Sequence, residues 1–301
     1  MIECRAPKNK KEFEQYYYLR WLVLRAPWKK ERGSEKDQLE KQAIHRCVFD
    51  ENNHLLAVGR AHFIDQFQAQ IRYMAVVESS QKNGVGKLLL ESLEHEIICR
   101  GGQSIQLKAR ESAVGFYQKM GYEALGLAHK LYNEIQHVSM VKNTQPLPNQ
   151  RVDLAQNLQA IWHQTIPLSK AMNINISFYD EQVLMTNCDP VFNKNLHNTM
   201  FAGSIYTLAT LTGWGWVYFQ LNKAQYQGDI VLADAKIKYL SPINGVVSAK
   251  TSQEFAQGDI NLLMSHIKTR FTIKVDIYSG EIIAAKFIGE YVVIKKEHLS
   301  C

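Results

Sequence analysis

The chain has 301 residues, 46% of them hydrophobic and 21% charged, with a formal net charge of +6. That length suits two ordinary domains better than one, and the composition excludes a fibrous chain or long disorder. The basic excess is uneven: residues 1–150 carry 22 Lys and Arg against 17 Asp and Glu, whereas residues 151–301 carry 13 against 12.

Taken in chain order, residues 11–24 have helical spacing, and 43–50 and 55–63 read as strands joined by the turn residues Glu51, Asn52 and Asn53. A strand at 69–77 leads to a helix at 86–99, with Leu88, Leu89, Leu93, Ile97 and Ile98 at apolar positions. A strand at 105–109, a helix at 113–120 and strands at 122–127 and 137–142 complete this half. Residues 143–150 (NTQPLPNQ) have the two prolines and polar neighbours of a linker. Beyond them come a helix at 154–164 and strands at 174–179 and 182–188.

Residues 200–221 carry no charge and are long enough to cross a bilayer. They also hold Gly203, Ser204, Thr207, Thr210, Thr212, Gly213 and Gly215 without a flanking Lys/Arg bias, which favours a buried central helix. Strands at 229–239, 246–250, 269–279 and 281–295 follow. The expected fold class is α+β: a mixed sheet with helices in domain 1–142, a linker at 143–150, and an antiparallel sheet wrapped around one long helix in domain 151–301.

The five cysteines, Cys4, Cys47, Cys99, Cys188 and Cys301, are odd in number and include no C-x-x-C pair. That usage fits a reducing compartment, with no disulfide framework and no zinc or other metal site. The first twenty residues have no apolar h-region, so a cytoplasmic protein without a secretion signal is expected. No nucleic-acid or membrane partner is expected. A basic front half suits acidic partners such as CoA phosphates or an acidic carrier protein, though a plain solvated surface has the same composition.

Two runs carry chemistry. The first, Gln81-Lys82-Asn83-Gly84-Val85-Gly86, lies between a strand and a helix. Its glycines allow close backbone approach, and the helix start adds its positive dipole end, giving an anion site suited to a pyrophosphate. An ordinary strand-to-helix turn has the same spacing. Downstream, residues 113–122 read AVGFYQKMGY. Together these resemble the GNAT N-acetyltransferase superfamily, with its Q/R-x-x-G-x-G/A acetyl-CoA loop and A-x-x-F-Y-x-x-x-G-F/Y segment, over about residues 1–142. The resemblance implies an acetyl-CoA or CoA site at Gln81, Lys82, Asn83, Gly84, Val85, Gly86 and Lys87. It also implies that Tyr117 sits near the thioester sulfur, where a phenol of ordinary pKa could protonate the leaving thiolate. A core tyrosine beside Phe116 is the competing reading. Glu78 and His62 are candidate bases by position.

The second run spans Asn193, Asn195, His197, Thr199, Phe201, Ala202, Gly203 and Ser204, leading into the apolar helix. Helix-start N–H groups can hold a carbonyl oxygen that gains negative charge, each worth about 3 kcal/mol. Capping by Asn198 or Thr199 would account for one such residue, though not for Asn193, Asn195 and His197 together. No Asp or Glu lies between Asp189 and Asp229. Thioester hydrolysis usually needs such a group as base or nucleophile. Decarboxylation of a malonyl thioester needs only orientation and a stabilised enolate oxygen.

With Trp162-His-Gln-Thr-Ile-Pro167, Leu211-Thr-Gly-Trp214, Gly228-Asp-Ile-Val-Leu-Ala-Asp234 and Tyr239-Leu-Ser-Pro242, this half resembles the hot-dog-fold family labelled thioesterase and found fused to GNAT domains. Members of that family look like malonyl-acyl-carrier-protein decarboxylases, whose product starts fatty-acid synthesis. The resemblance puts the catalytic asparagine on Asn195, makes His197 a second donor or a base, and implies substrate contacts from Asn193, Thr199, Phe201, Ala202, Gly203 and Ser204. It also implies a homodimer with malonyl-loaded acyl carrier protein or acyl-CoA as partner, and an acyl tunnel along Phe201, Ile205 and Leu208. The alternative is an acyl-CoA or acyl-carrier-protein thioesterase joined to an active N-acetyltransferase.

Overall fold

The computed structural model describes residues 2–128, 130–132 and 134–296, so Cys301 lies outside the described residues. The chain divides into two compact units, Met1–Leu147 and Pro148–Cys301.

The front unit is one mixed seven-stranded sheet, in the order β1-β2-β3-β4-β5-β7-β6. Its elements are β1 (Glu3–Arg5), α1 (Lys10–Leu24), β2 (Ile44–Phe49), β3 (Leu55–Phe63), β4 (Gln68–Val76), α2 (Val85–Cys99), β5 (Ser104–Arg110), α3 (Val114–Lys119), β6 (Glu123–Leu127) and β7 (His137–Asn143). Two 3-10 turns, Ala26–Trp28 and Glu40–Gln42, punctuate the connector from α1 to β2. Asn9 starts α1, its side chain accepting from the Glu12 N–H.

Strand alternation sorts the core onto two faces. Ala57, Ala61, Ile71, Ile105, Leu107 and Ala109 pack with α2 and α3 residues such as Leu89, Leu93 and Tyr117. On the other face, Val58 and Ala75 pack with Tyr16 and Leu19 of α1. Only the β4–β5 contact is parallel, and its pairing ends at Ile71↔Leu107 although both strands continue. The sheet therefore opens as a wedge beyond that pair.

The back unit holds α4 (Val152–Thr165), α5 (Pro167–Ala171), β8 (Asn175–Tyr179), β9 (Val183–Cys188), α6 (Ala202–Lys223), β10 (Gly228–Tyr239), β11 (Val247–Ser252), β12 (Ala256–Gln257), β13 (Lys268–Ser279) and β14 (Ile282–Lys295). The strands form an antiparallel sheet in the order β10-β14-β13-β11-β9-β8, with β12 beside β13. This is a hot-dog fold, the sheet wrapping α6. Leu208, Ala209, Trp216, Val217 and Phe219 of α6 are buried against Val247, Ile273, Val275, Phe287 and Tyr291.

Two glycines let the sheet and α4 close on this helix. A Cβ on Gly213 would lie 2.4 Å from Tyr291 Oη, and one on Gly215 would lie 2.8 Å from Trp162 Cζ2. Each mid-helix glycine costs about 1 kcal/mol against alanine, an outlay offset by burying the two large aromatics. Among the described residues no helix is long and apolar enough to cross a membrane.

Candidate functional sites

In the front unit, the Gln81–Gly84 turn reverses the chain through left-handed residues at Lys82 (φ 63°) and Gly84 (φ 81°). Its residues are exposed, and α2 begins at Val85 with no side-chain cap. The first inward bond of this stretch is the Leu88 N–H to the Gly84 carbonyl, at 3.0 Å. The N–H groups of Lys82 through Lys87 have no protein acceptor among the described residues. A run of free donors at the positive end of a 15-residue helix is the geometry an anionic oxygen group fills.

Gly86 faces the same region. A Cβ there would sit 3.8 Å from Phe116 Cζ, so the start of α2 meets α3. On α3, the half-buried Tyr117 donates its hydroxyl to Met74 Sδ at 3.5 Å. Met74 lies in a bulge of β4, where Val58↔Ala75 is followed by Arg60↔Arg72 and Gly59 faces both Tyr73 and Met74. Tyr117 is thus brought to the β4 side of the wedge. Desolvation pushes its pKa up to about 12, so it is a weaker acid than the ordinary phenol expected from the sequence.

Of the two candidate bases, His62 is 7% exposed, and burial followed by repulsion from Arg60 and Arg72 lowers its pKa to about 4, which makes it a poor proton acceptor. Glu78 sits exposed in a 3-10 turn just past the end of β4.

In the back unit, the run from Asn193 to Phe201 is a short hairpin. Lys194 bridges Met200, the Phe201 N–H donates to the Asn193 carbonyl at 2.7 Å, and the Asn195 N–H donates to the Thr199 carbonyl at 2.8 Å. The side chain of Asn195 locks the tip. Its Oδ1 accepts from the N–H of His197 (2.8 Å) and of Thr199 (3.2 Å), and its Nδ2 donates to Thr199 Oγ1 at 3.0 Å. One N–H of the Asn195 amide remains unspent. Asn193 is placed differently from the sequence expectation. It is 2% exposed, and its Nδ2 donates to the carbonyls of Met172 and Asp189, so it braces the hairpin and has no donor left for a substrate.

The hairpin ends at α6. Neither Asn198 nor Thr199 caps that helix; Phe201 holds the N-cap position without a side-chain bond. The first inward donor is the Ile205 N–H to the Phe201 carbonyl (3.1 Å), which leaves the N–H groups of Ala202, Gly203 and Ser204 without a protein acceptor. Gly203 is the residue that fits here, since a Cβ would fall 2.4 Å from the Phe201 ring. Tyr239, read from the sequence only as the first residue of the Tyr239–Pro242 motif, steadies the same turn by donating to the Ala202 carbonyl at 3.0 Å; its place at the end of a strand is the one signal that it reaches the helix.

Ile205 and Leu208 are core residues packed under the sheet, the plainer of the two readings their sequence allows, whereas Phe201 is exposed. Trp216 is core, and Trp214 donates Nε1 to the Ile230 carbonyl at 3.0 Å. The hairpin surface is apolar: Val191, Phe192, Leu196 and Phe201 are all exposed, Leu196 at 93%. His197 is exposed beside them. Among the described residues, no group of three His, Cys, Asp or Glu side chains could hold a metal ion.

Comparison with known proteins matches both halves. Residues 13–122 match the family described as "Acetyltransferase (GNAT) family", and residues 155–295 match the one described as "Putative thioesterase (yiiD_Cterm)". The chain is similar to the "Uncharacterized N-acetyltransferase YjcF" of Bacillus subtilis, 29% identical over 136 residues, which are 45% of this chain and 96% of that protein. It is also similar to the "Uncharacterized protein YyaT" of the same organism, 32% identical over 36% of this chain and 71% of that protein. A crystal structure of a "putative thioesterase" from Shewanella oneidensis is 37% identical, with a TM-score of 0.46, over 48% of this chain and 99% of that one.

Proposed function

With its front half belonging to the GNAT acetyltransferase family and its back half to the thioesterase family just described, the chain joins two acyl-thioester domains, and we propose that the back one is a malonyl-acyl-carrier-protein decarboxylase. The observation that carries this reading is the uncapped start of α6, with three free N–H groups; the hairpin that leads into it carries an Asn195 amide with one donor to spare, and no acid lies between Asp189 and Asp229 in the sequence.

In the proposed reaction the malonyl thioester binds with its carbonyl oxygen toward the N–H groups of Gly203 and Ser204. The bond between the carboxylate carbon and the α-carbon breaks, CO2 leaves, and the electron pair moves into the enolate. The oxygen gains charge as this happens, and the helix-start donors stabilise it more in the transition state than in the ground state. The spare Asn195 N–H adds a neutral donor, which does not repel the substrate carboxylate. A proton from water or from His197 then goes to the α-carbon, giving acetyl-carrier protein. Decarboxylation needs no activated water, whereas hydrolysis by these donors would need His197 or a more distant acid to act as base.

The exposed apolar hairpin and the edge strand β10 suit a second copy of the chain, so the active form proposed is a homodimer, working in the cytoplasm on acyl carrier protein. GNAT domains bind acetyl-CoA or CoA, and the Lys82–Lys87 donors are the proposed CoA-phosphate site of the front unit, with or without acetyl transfer.

The test is to incubate the full chain with malonyl-carrier protein and, separately, malonyl-CoA, and to follow product mass. Conversion to the acetyl form, absent in Asn195→Ala, is expected. Free malonate with an unloaded carrier assigns hydrolysis instead and removes this reading.

A further inference from the structure

We propose that the α1 side of the front sheet holds a second anion site, a carboxylate clamp made by Arg25 and Arg110 with Lys30 at its rim, that receives a carboxylate-bearing organic acceptor.

The argument begins with strand alternation. Ile105, Leu107 and Ala109 of β5 are buried on the α2 and α3 face. Arg110, the last residue of that strand, therefore points to the opposite face, the one covered by α1. Tyr73 of β4 sits on this face too. Its backbone is left-handed (φ 57°), and its ring is surrounded by guanidinium groups: Arg20 at 4.0 Å, Arg72 at 4.8 Å, Arg60 at 4.9 Å and Arg25 at 5.5 Å.

Most of these cations are neutralised locally. Arg20 pairs with Glu40, Arg60 with Asp37 and Glu40, and Arg72 with Asp37. Arg25 is not. Its Nε donates to the Ser34 carbonyl (3.0 Å) and its Nη1 to the Leu24 carbonyl (3.2 Å), neither of which carries charge. Lys30 lies 4.6 Å over the Tyr132 ring, and Tyr132 packs 6.1 Å from Trp28. Arg110 lies within electrostatic reach of Arg25 and Tyr132. Among the described residues, none of Arg25, Lys30 and Arg110 has a carboxylate partner.

A half-buried guanidinium beside a second cation is an unfavourable arrangement on its own. Burial first, and Arg25 second, lower the pKa of Arg110. Such a pair becomes favourable when a planar anion bridges it, because each guanidinium presents a fork of donors matched to carboxylate oxygens. Trp28 and Tyr132 supply an apolar wall for the body of the ligand, and the buried Trp28 Nε1 has no acceptor, leaving one donor for it to satisfy. The Lys82–Lys87 donors serve α2 and thus the other face, so this clamp is separate from the proposed CoA-phosphate site. It does not depend on the decarboxylase reading, which concerns the other unit.

Phenylacetate is a suitable probe, with a carboxylate for the clamp and a ring for the aromatic wall, and phenylacetamide is its neutral counterpart. Calorimetry on the full chain saturated with CoA should show phenylacetate binding at least tenfold tighter than phenylacetamide. Among the described residues the Arg110 side chain makes no hydrogen bond, so Arg110→Gln should keep the melting temperature and CoA affinity while weakening phenylacetate about tenfold to a hundredfold. Arg32→Gln, which removes an exposed cation resting on Tyr18 and Trp21, serves as the control and should bind phenylacetate as the parent does. Equal binding of acid and amide, an unaltered affinity in Arg110→Gln, or competition between phenylacetate and CoA would each overturn the proposal.

Discussion

Phe201 lies across the first turn of α6, its ring reaching within 2.4 Å of where a Cβ on Gly203 would stand. The ring is exposed, so it can swing toward solvent if that space is filled. Gly203→Ala should therefore leave stability within about 1 kcal/mol of the parent, because the better helix propensity of alanine offsets the displaced ring. Decarboxylation should fall by about a hundredfold, since a shift of about 1 Å in the substrate carbonyl is enough for such a loss. Thermal unfolding and the carrier mass assay measure the two effects. Phe201→Ala made in the same background should restore part of the activity.

The two faces of the Asn195 amide separate loop shape from chemistry. Its oxygen holds the turn through His197 and Thr199, while its nitrogen has the spare donor. Asn195→Asp keeps an acceptor for both backbone N–H groups and for the Thr199 hydroxyl, but removes both amide donors, the spare one and the one on Thr199 Oγ1, and adds negative charge near the substrate carboxylate. The variant should fold with an unchanged melting temperature and lose about 10²- to 10³-fold in turnover. Asn195→Ala should lose both activity and about 1 kcal/mol of stability. A fully active Asp variant would show that the nitrogen takes no part.

Most of the architecture was legible because the chain alternates between clean periods of two and 3.6, and both signature runs fall where a strand or loop feeds a helix. The misplacements have long-range causes. The main helix starts at Ala202, later than its apolar pattern, because the Met200 N–H is taken by the Ile243 carbonyl and the Phe201 N–H by that of Asn193. The strand Glu3–Arg5 was missed because three residues carry no period, and it exists through pairing with β2. Asn193 resembled a ligand contact only because its acceptors, including Met172 on a separate helical turn, are invisible in sequence. Arg25 and Arg110 drew no notice for the same reason, although Arg110 falls at the outward position of an alternating strand.

His62 gives the front unit an acid limit. Its pKa of about 4 lies below the ordinary histidine value near 6.5, so the folded state binds the proton less tightly than the unfolded chain. The associated stability is fully present above pH 6.5 and is lost as pH falls toward 4. Arg60 and Arg72 add to burial in this effect, and Asp37 and Glu40 oppose it. Urea unfolding of the parent should show a larger loss between pH 7 and pH 4.5 than His62→Gln does. Equal losses would mean that His62 charges freely in the folded protein.

Tyr117 works in the other direction. With its pKa pushed up to about 12, above the ordinary phenol near 10, it stays protonated throughout the neutral range. Its contribution to stability is complete below pH 10 and declines as pH rises toward 12. Tyr117→Phe should flatten that alkaline decline, and its only hydrogen bond lost is the one to Met74 Sδ. If the front unit transfers acetyl groups, the same variant should release CoA about 10²-fold more slowly, because the leaving thiolate loses its proton donor. Unchanged release would assign Tyr117 to packing with Phe116 and Tyr122.

The ion cluster below Tyr73 sets the shape of the proposed carboxylate clamp. Asp37 receives both Nη atoms of Arg60 and the Tyr73 hydroxyl; desolvation alone would raise its pKa, but the hydrogen bonds from Arg60 and the Leu39 N–H together with the charges of Arg60 and Arg72 hold its carboxyl well below the usual carboxylate range. Arg60 is fully buried and shares its other carboxylate, Glu40, with Arg20, so removing Asp37 leaves the two guanidinium groups short of charge in a dry site. Asp37→Asn should cost about 3–5 kcal/mol, read by chemical denaturation. It should also loosen Tyr73, whose left-handed backbone carries about 1–3 kcal/mol of strain and whose hydroxyl donates to Asp37. Phenylacetate affinity should then fall even though Arg25 and Arg110 are intact, because the ring that positions Arg25 is no longer fixed. Replacing the pair with Arg60→Met and Asp37→Leu together should recover much of the stability but not the affinity, which distinguishes the charge balance of the core from the positioning of the clamp.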